Sequence, residues 1–416
     1  MFKGIFVLSI GNLLEFYDFA VYGFLVGTLS PIFFPSSDNV ASLIGGFGVF
    51  FVGFLARPIG AIFFGYIGDR KGRKKSLIFS IIVMATSTAF IGLLPTYETI
   101  GVFAPIFLIL LRILQGFSLG GEFSGSLVTL AESNVSQKNR VLMSSIVTSA
   151  GVSGWFVGSL TCYLSSKLIL PFSYWRIPFL LGALTGVVAC YIRITISENF
   201  GLQNLSSNSK KISLLHLIRH YPKQVLFVIS VGALMGCLFY GLYIFPNSFL
   251  PNTLNLTPSY VTKLTTFGVG LYMIFLPLMG WLGDKIGPKK LMLFSSLLCF
   301  FSSYFLFYCL YALGGRLIFI VEILSSFLLA SFMAPATFII TQVFPKNIRV
   351  TGVSLSYNIG ACFFGGASPM VFTFLIKKTS FLTIPWTYLA FCSFIAFIST
   401  LSISNSQVSA PSEETR

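Results

Sequence analysis

Charge is scarce in this chain. Only 9% of its 416 residues are Asp, Glu, Lys or Arg, and acids number 12 against 27 lysines and arginines. That shortage, with 55% hydrophobic residues, excludes a soluble globular domain, which carries about a quarter charged residues. Histidine occurs twice, as His216 and His220. They stand in a basic stretch that reads as a solvated or interfacial segment rather than a metal site, so neither a histidine-based nucleophile pair nor a metal cluster is available. The seven cysteines lie singly in apolar segments, without the paired spacing of zinc or redox sites. No Walker-type phosphate loop is present, which argues against ATP-driven pumping. An enzyme, a cofactor and a metal are therefore not expected.

What is abundant is apolar sequence in long runs. A membrane span needs about 20 mostly apolar residues. Runs of that length recur about twelve times, at 5–29, 42–67, 76–95, 102–131, 141–165, 174–195, 224–249, 259–282, 291–312, 317–343, 350–376 and 384–403. The first is too long for the apolar core of a cleavable signal. The longest polar stretch lies between the sixth and seventh runs. The expected organisation is a six-helix bundle over 1–196, a linker over 197–223, a second six-helix bundle over 224–404 and a short polar tail over 405–416.

The net charge of +15 does not imply nucleic acid. With the N-terminus inside, Arg70, Lys71, Arg73, Lys74, Lys75, Lys138, Arg140, Lys285, Lys289, Lys290, Lys346 and Arg349 all fall in cytoplasmic segments. External segments hold only Lys167, Arg176, Lys263, Arg316, Lys377 and Lys378. This bias orients the chain in the bilayer, with both termini cytoplasmic.

The halves repeat. Gly65 to Leu77 reads GYIGDRKGRKKSL and Gly280 to Met292 reads GWLGDKIGPKKLM, each in the turn after the second helix of its half. A looser echo pairs Lys138, Asn139 and Arg140 with Lys346, Asn347, Ile348 and Arg349.

These motifs, with GNLLEFYDFAVYGF (11–24), FLARPIGAIFFGYIGDRKGRKKS (54–76), RILQGFSLGGEFSGS (112–126), WRIPFLLG (175–182) and FPKNIRVTGVSLSYNIGACFFGGASP (344–369), resemble the major facilitator superfamily. Within it the chain is similar to the metabolite:proton symporters, the group holding proline/betaine, α-ketoglutarate, citrate and shikimate permeases. The resemblance implies an all-α membrane protein of twelve spans in two pseudo-symmetric bundles. It also implies a bacterial inner-membrane location and import of a small polar carboxylate-bearing metabolite or osmolyte, driven by the proton gradient. The chain departs from the pattern at Phe16, Phe123 and Pro288, and with a short polar tail the coiled-coil extension of osmosensing relatives is not expected. A fifth helix without the Gly-Pro pair of drug exporters favours import over export. A non-transporting sensor of the same fold is the other alternative.

The spans carry charges that need partners. Glu15 and Asp18 share a face of the first run, which Tyr22 continues one turn on. An unpaired carboxylate at mid-membrane costs about 2.5 to 3.5 kcal/mol even on a lenient scale. Arg57 lies at comparable depth in the second run, while Arg112, Gln115 and Glu122 fall on one broad face of the fourth. Glu122, Asp18 and Glu15 are the candidate proton carriers, because burial disfavours a charged carboxylate. Arg57, Arg112, Gln115, Tyr17 and Tyr22 are the candidate substrate ligands. Tyr240, Tyr243, Tyr357 and Asn358 are candidate lining residues of the second half. The alternative makes Arg57 with Asp18, and Arg112 with Glu122, permanent structural ion pairs. Glu322, near the outer end of the tenth run, is a gate candidate or a partner for Arg316. The resemblance gives the repeated turn a latching role, so Asp69, Arg70 and Arg73 with Glu132 and Arg140, and Asp284 and Lys285 with Arg349, are candidate gate residues.

Overall fold

Sustained apolar runs in a medium without water must satisfy every backbone group internally, and helices do so within one segment. In the computed structural model, which describes residues 2–71, 73–120, 127–128, 139–168, 173–196, 214–311, 317–346 and 348–404, the described secondary structure is helical. The first half contains α1 (Phe2–Phe33), α2 (Asn39–Lys71), α3 (Arg73–Leu93), α4 (Phe103–Ser118), α5 (Arg140–Ser165) and α6 (Arg176–Ile196). The second contains α7 (Pro222–Leu254), α8 (Pro258–Ile286), α9 (Pro288–Tyr311), α10 (Ile318–Ile339), α11 (Arg349–Thr379) and α12 (Pro385–Ser402). Nine of these have the length and hydropathy to cross a membrane, and α3, α4 and α6 contribute shorter apolar helices, among the described residues. The outward faces are apolar, with Ile62, Val187, Phe294 and Phe301 all exposed, as lipid contact requires.

The helix pairings repeat. In the first half α1 packs on α5, α2 on α4 and α3 on α6; in the second, α7 packs on α11, α8 on α10 and α9 on α12. The seam between halves follows the same rule, since α5 lies on α8 and α2 on α11. Glycines permit the closest crossings. A Cβ on Gly116 or Gly120 of the α4 segment would collide with the α2 backbone at Gly53 or Arg57, and one on Gly154 of α5 would strike Leu13 of α1. Gly121 and Gly125, spaced like Gly116 and Gly120, lie outside the described residues. The turn between α8 and α9 depends on Gly287, whose φ of 100° is open to glycine and strained for other residues; Pro288 then starts α9.

Two helices of the second half are interrupted by π-turns, at Tyr240–Ile244 in α7 and Ala361–Gly366 in α11. Such turns insert one extra residue per turn and gather at functional sites. Here Tyr240 and Ala361 both face the same central cavity.

Candidate functional site

The cavity lies on the seam. Glu15 and Phe16 of α1, Arg57 of α2, Gly120 and Thr148, Val152 and Trp155 of α5 form its wall on the first half. Met235, Phe239 and Tyr240 of α7, Tyr272 of α8, Met333 of α10 and Tyr357, Asn358 and Ala361 of α11 form the other. It encloses ≈ 720 Å³ of space between atoms, its opening included.

Aromatic rings dominate it. Trp155 meets Phe239 edge-on at 4.6 Å and Tyr240 at 5.8 Å, and Phe239 lies 6.2 Å from Tyr272. Into this cage α2 presents Arg57. Its guanidinium lies over Phe54 at 4.1 Å and Phe19 at 4.3 Å, while Nε and Nη2 have no hydrogen-bond partner. A buried guanidinium with unspent donors is an anion-binding arrangement. Glu15, 5% exposed, lies on the same wall. The cavity thus combines a cation, an acid and π-faces.

A second set sits behind the cavity, among α1, α3 and α4. Arg112 is fully buried, and its guanidinium shares the Phe19 ring with Arg57, at 4.3 Å, and covers Tyr22 at 4.2 Å. Arg112 Nη1 donates to Gln115 Oε1 at 2.8 Å, and Gln115 Nε2 donates to Thr88 Oγ1 at 2.7 Å. Thr88 lies in hydrogen-bonding reach of Asp18, which is 4% exposed, and its hydroxyl also faces the Met84 carbonyl at 2.9 Å. Gly182 of α6 makes room for Asp18, since a Cβ there would overlap Oδ1. Asp18 forms no direct ion pair with Arg57 or Arg112, although Arg112 is within electrostatic reach.

The other residues singled out in the sequence are placed as follows. The Tyr17 hydroxyl donates to the Pro178 carbonyl at 2.9 Å and that of Tyr22 to the Gly46 carbonyl at 3.0 Å, tying α1 to α6 and α2. Tyr243 stands behind Phe239, with its hydroxyl 2.9 Å from Ser326 Oγ. Asn358 lines the cavity and donates to the Gly120 carbonyl at 3.0 Å, and the Tyr357 hydroxyl faces the Met235 sulfur at 3.3 Å. Glu322 is fully buried between α10 and α8. At the end carrying Lys71, Arg140, Lys285 and Arg349, here the basic end, Asp284 accepts hydrogen bonds from the Val141 and Leu142 amides, each at 3.0 Å. It therefore caps the start of α5 across the seam. Lys285 is exposed with Nζ over the Trp281 ring, Arg140 is half-buried at the head of α5, and Arg349 is buried with Nε donating to the Phe344 carbonyl. Glu122 and Glu132 lie outside the described residues, as do the side chains of Asp69, Arg70 and Arg73.

Sequence profiles agree with this architecture. Residues 4–200 match the family described as "Sugar (and other) transporter" and residues 232–415 match "Major Facilitator Superfamily". The glycine betaine/proline/ectoine/pipecolic acid transporter OusA of Dickeya dadantii (strain 3937) is 31% identical over 415 residues, spanning 96% of this chain and 82% of that protein. A putative proline/betaine transporter of Staphylococcus aureus (strain COL) is 32% identical, spanning 95% of this chain and 86% of its own. The chain belongs to the metabolite:proton symporter family of the major facilitator superfamily. Its fold is shared with the D-xylose-proton symporter, at a TM-score of 0.70 and 17% identity over 95% of both chains. This major facilitator protein is a multi-pass membrane transporter, and its relatives are transporters rather than enzymes.

Sequence reasoning did not single out Trp155, Phe239, Tyr272, Met235 or Met333 as cavity residues, nor Thr88 as the neighbour of Asp18. One signal was available: Trp155 is among only four tryptophans and directly follows Gly154, where α5 crosses α1 most closely.

Proposed function

We propose that this transporter imports a small zwitterion bearing a carboxylate and a substituted ammonium group, of the proline or glycine betaine kind, by proton symport. The observation that carries this reading is the pairing, in one cavity on the seam, of Arg57's unspent donors with the cage of Trp155, Phe239, Tyr240 and Tyr272. Arg57 takes the carboxylate. The ring faces take the ammonium, as aromatic cages do for quaternary nitrogen, with Glu15 adding negative charge on the same wall. Proline and glycine betaine, after which the relatives are named, belong to this chemical class.

Asp18 serves as the proton carrier. The Thr88 hydroxyl has a single proton and two acceptors, Asp18 and the Met84 carbonyl. With Asp18 ionised, Thr88 donates to the carboxylate; with Asp18 protonated, it turns to Met84. Gln115 and Arg112 follow through their hydrogen bonds, and Arg112 shares the Phe19 ring with Arg57. Proton loading at Asp18 is thereby linked to the pose of the arginine that binds substrate. The two halves then rock about the seam, exposing the cavity to each side in turn. The lysine and arginine bias supports an inner-membrane orientation with both termini in the cytoplasm. The domain limits follow the repeat, with bundles over 1–196 and 224–404.

The test is uptake into proteoliposomes of radiolabelled proline, glycine betaine, α-ketoglutarate, citrate and shikimate, with and without an inward proton gradient. Wild type is expected to concentrate proline or glycine betaine when the gradient is present. Asp18→Asn should keep exchange of labelled for unlabelled substrate and lose the response to the gradient. Arg57→Gln should weaken binding about 100-fold, the loss of about 2.7 kcal/mol for a charge-assisted pair. Uptake confined to citrate or α-ketoglutarate, or gradient-driven uptake unchanged in Asp18→Asn, would overturn the reading.

A further inference from the structure

One buried acid has no part in the scheme above. Glu322 is 0% exposed, and neither carboxyl oxygen has a hydrogen-bond partner. Its surroundings are built for it. Gly268 of α8 lies against the carboxyl so closely that a Cβ would overlap Oε2, and the same Cβ would press on the Tyr243 ring. The hydroxyls of Tyr243 and Ser326 meet at 2.9 Å, and Ser326 also reaches the Gly268 carbonyl at 2.7 Å. Ser325, one turn along the face from Glu322, has a buried hydroxyl without a partner.

No cation answers this acid among the described residues. Of the elements packed against α10, α7 contributes the Tyr243 phenol, and α8 contributes Lys263, which is exposed to solvent. The lysines of α9, Lys289 and Lys290, and Arg140 of α5 stand at the basic end, away from Glu322; Arg316 lies outside the described residues. A carboxylate in such a place, without a counter-charge, costs several kcal/mol, and a bound proton removes that cost. The route for a proton is short. Glu322 is four residues into α10, about 6 Å along the helix from its start at the end opposite the basic one.

We infer that Glu322 is a second proton-binding site, in the second half of the transporter and separate from Asp18, which loads and unloads as the halves part. A carboxylate oxygen takes the proton from water at the near end when that end of α7 moves, and gives it up past the Tyr243 phenol to water in the central cavity when the halves part at the basic end. The link is α7 itself. Its π-turn holds Tyr243 beside Ser326, and just beyond it Asn247 Nδ2 donates across the seam to the Phe24 carbonyl at 2.7 Å. Separation of the halves at that end breaks the Asn247 bond and releases the segment that covers Glu322.

The proton-driven reading is needed only for the transport arm of the test. The first arm uses the full-length protein in liposomes with no substrate and follows the infrared carbonyl stretch of protonated carboxyl groups as pH is raised. Wild type should show a band that disappears with rising pH and is absent from Glu322→Gln. Gly268→Ala, whose Cβ presses on the carboxyl while leaving Glu322 itself in place, should shift the pH at which that band disappears. A Glu322 band that persists over the whole range in which the protein stays folded would overturn the inference, because the proton would then be permanent. Loss of the band on adding sodium chloride at fixed pH would overturn it in favour of a sodium site. In the second arm, the ratio of protons to glycine betaine, read from the membrane potential that halts net flux, should fall by about half in Glu322→Gln. A ratio unchanged in Glu322→Gln would overturn the transport link. Wild type without proton-driven flux, but with a titrating Glu322 band, would support this site while refuting the symport reading.

Discussion

The capping of α5 by Asp284 offers the sharpest quantitative test of the gate at the basic end. Two amides at the head of α5, Val141 and Leu142, spend their hydrogen bonds on a carboxylate that belongs to α8 of the other half. When the halves part at that end, the cap is lost and water must replace it. An N-terminal cap is worth about 0.5–2 kcal/mol, and a negative charge at a helix start adds about 0.3–1 kcal/mol. Asp284→Ala should therefore shift the closed-to-open equilibrium at the basic end by about 1–3 kcal/mol, or about 5- to 150-fold. Asp284→Asn keeps an acceptor and loses the charge, so its shift should be about fivefold at most. The assay is the labelling rate of Thr148→Cys, which lines the cavity on α5, by a membrane-impermeant maleimide applied at the basic end. Labelling should accelerate in the order wild type, Asp284→Asn, Asp284→Ala. A rate unchanged in Asp284→Ala, in protein that melts like wild type, would refute the assignment of Asp284 as an inter-half latch.

Three further outcomes are expected. Trp155→Leu should weaken inhibition of uptake by glycine betaine about tenfold while changing that by a neutral-tailed carboxylate less, since a desolvated cation–π contact is worth up to about 2 kcal/mol. At the end opposite the basic one, Lys377 Nζ donates to Asp38 at 2.6 Å and joins the two halves, and this hydrogen bond holds the Asp38 carboxyl below its usual range, helped by the Val40 amide. The pair's contribution to closure is then complete above the ordinary carboxylate range and lost as pH falls through the lowered value; Lys377→Gln should abolish that acid sensitivity, read by spin-label distances across this end. Gly116→Ala should destabilise the first half by about 1–3 kcal/mol because its Cβ would collide with the Gly53 carbonyl. Gly48→Ala, whose Cβ meets only the Met370 sulfur at 3.9 Å, should melt like wild type.

The spans were legible because lipid enforces length and hydropathy together, so the expected 141–165 and 384–403 fall within one residue of α5 and α12. Arg57 and Asp18 were legible for the same reason, as charges in apolar surroundings are conspicuous. The fourth run was harder. Its expected extent of 102–131 includes a described helix that ends at Ser118, with most of the remainder outside the described residues. The aromatic cage was not legible, because 16% of the chain is aromatic and most such rings face lipid or core. Only the seam brings Trp155 to Phe239. A helical face also does not reveal what a hydroxyl binds: Tyr17 and Tyr22 share α1 with Asp18, yet each reaches a backbone carbonyl of a neighbouring helix. The π-turns had no local signature, since they arise where Gly236 meets Gly365 and Gly241 meets the Phe372 ring.

The π-turn of α7 also sets a rotational phase. An α-helix advances about 100° per residue, so one inserted residue turns everything beyond it by that angle. Before the turn, Met235 and Phe239 point to the cavity; beyond it, Asn247 points to the opposite half. Removing one residue from 241–244 would straighten the helix and swing Asn247 off the Phe24 carbonyl while leaving the cavity wall in place. A single peptide unit thus lets one helix address two surfaces that an uninterrupted helix would hold out of register.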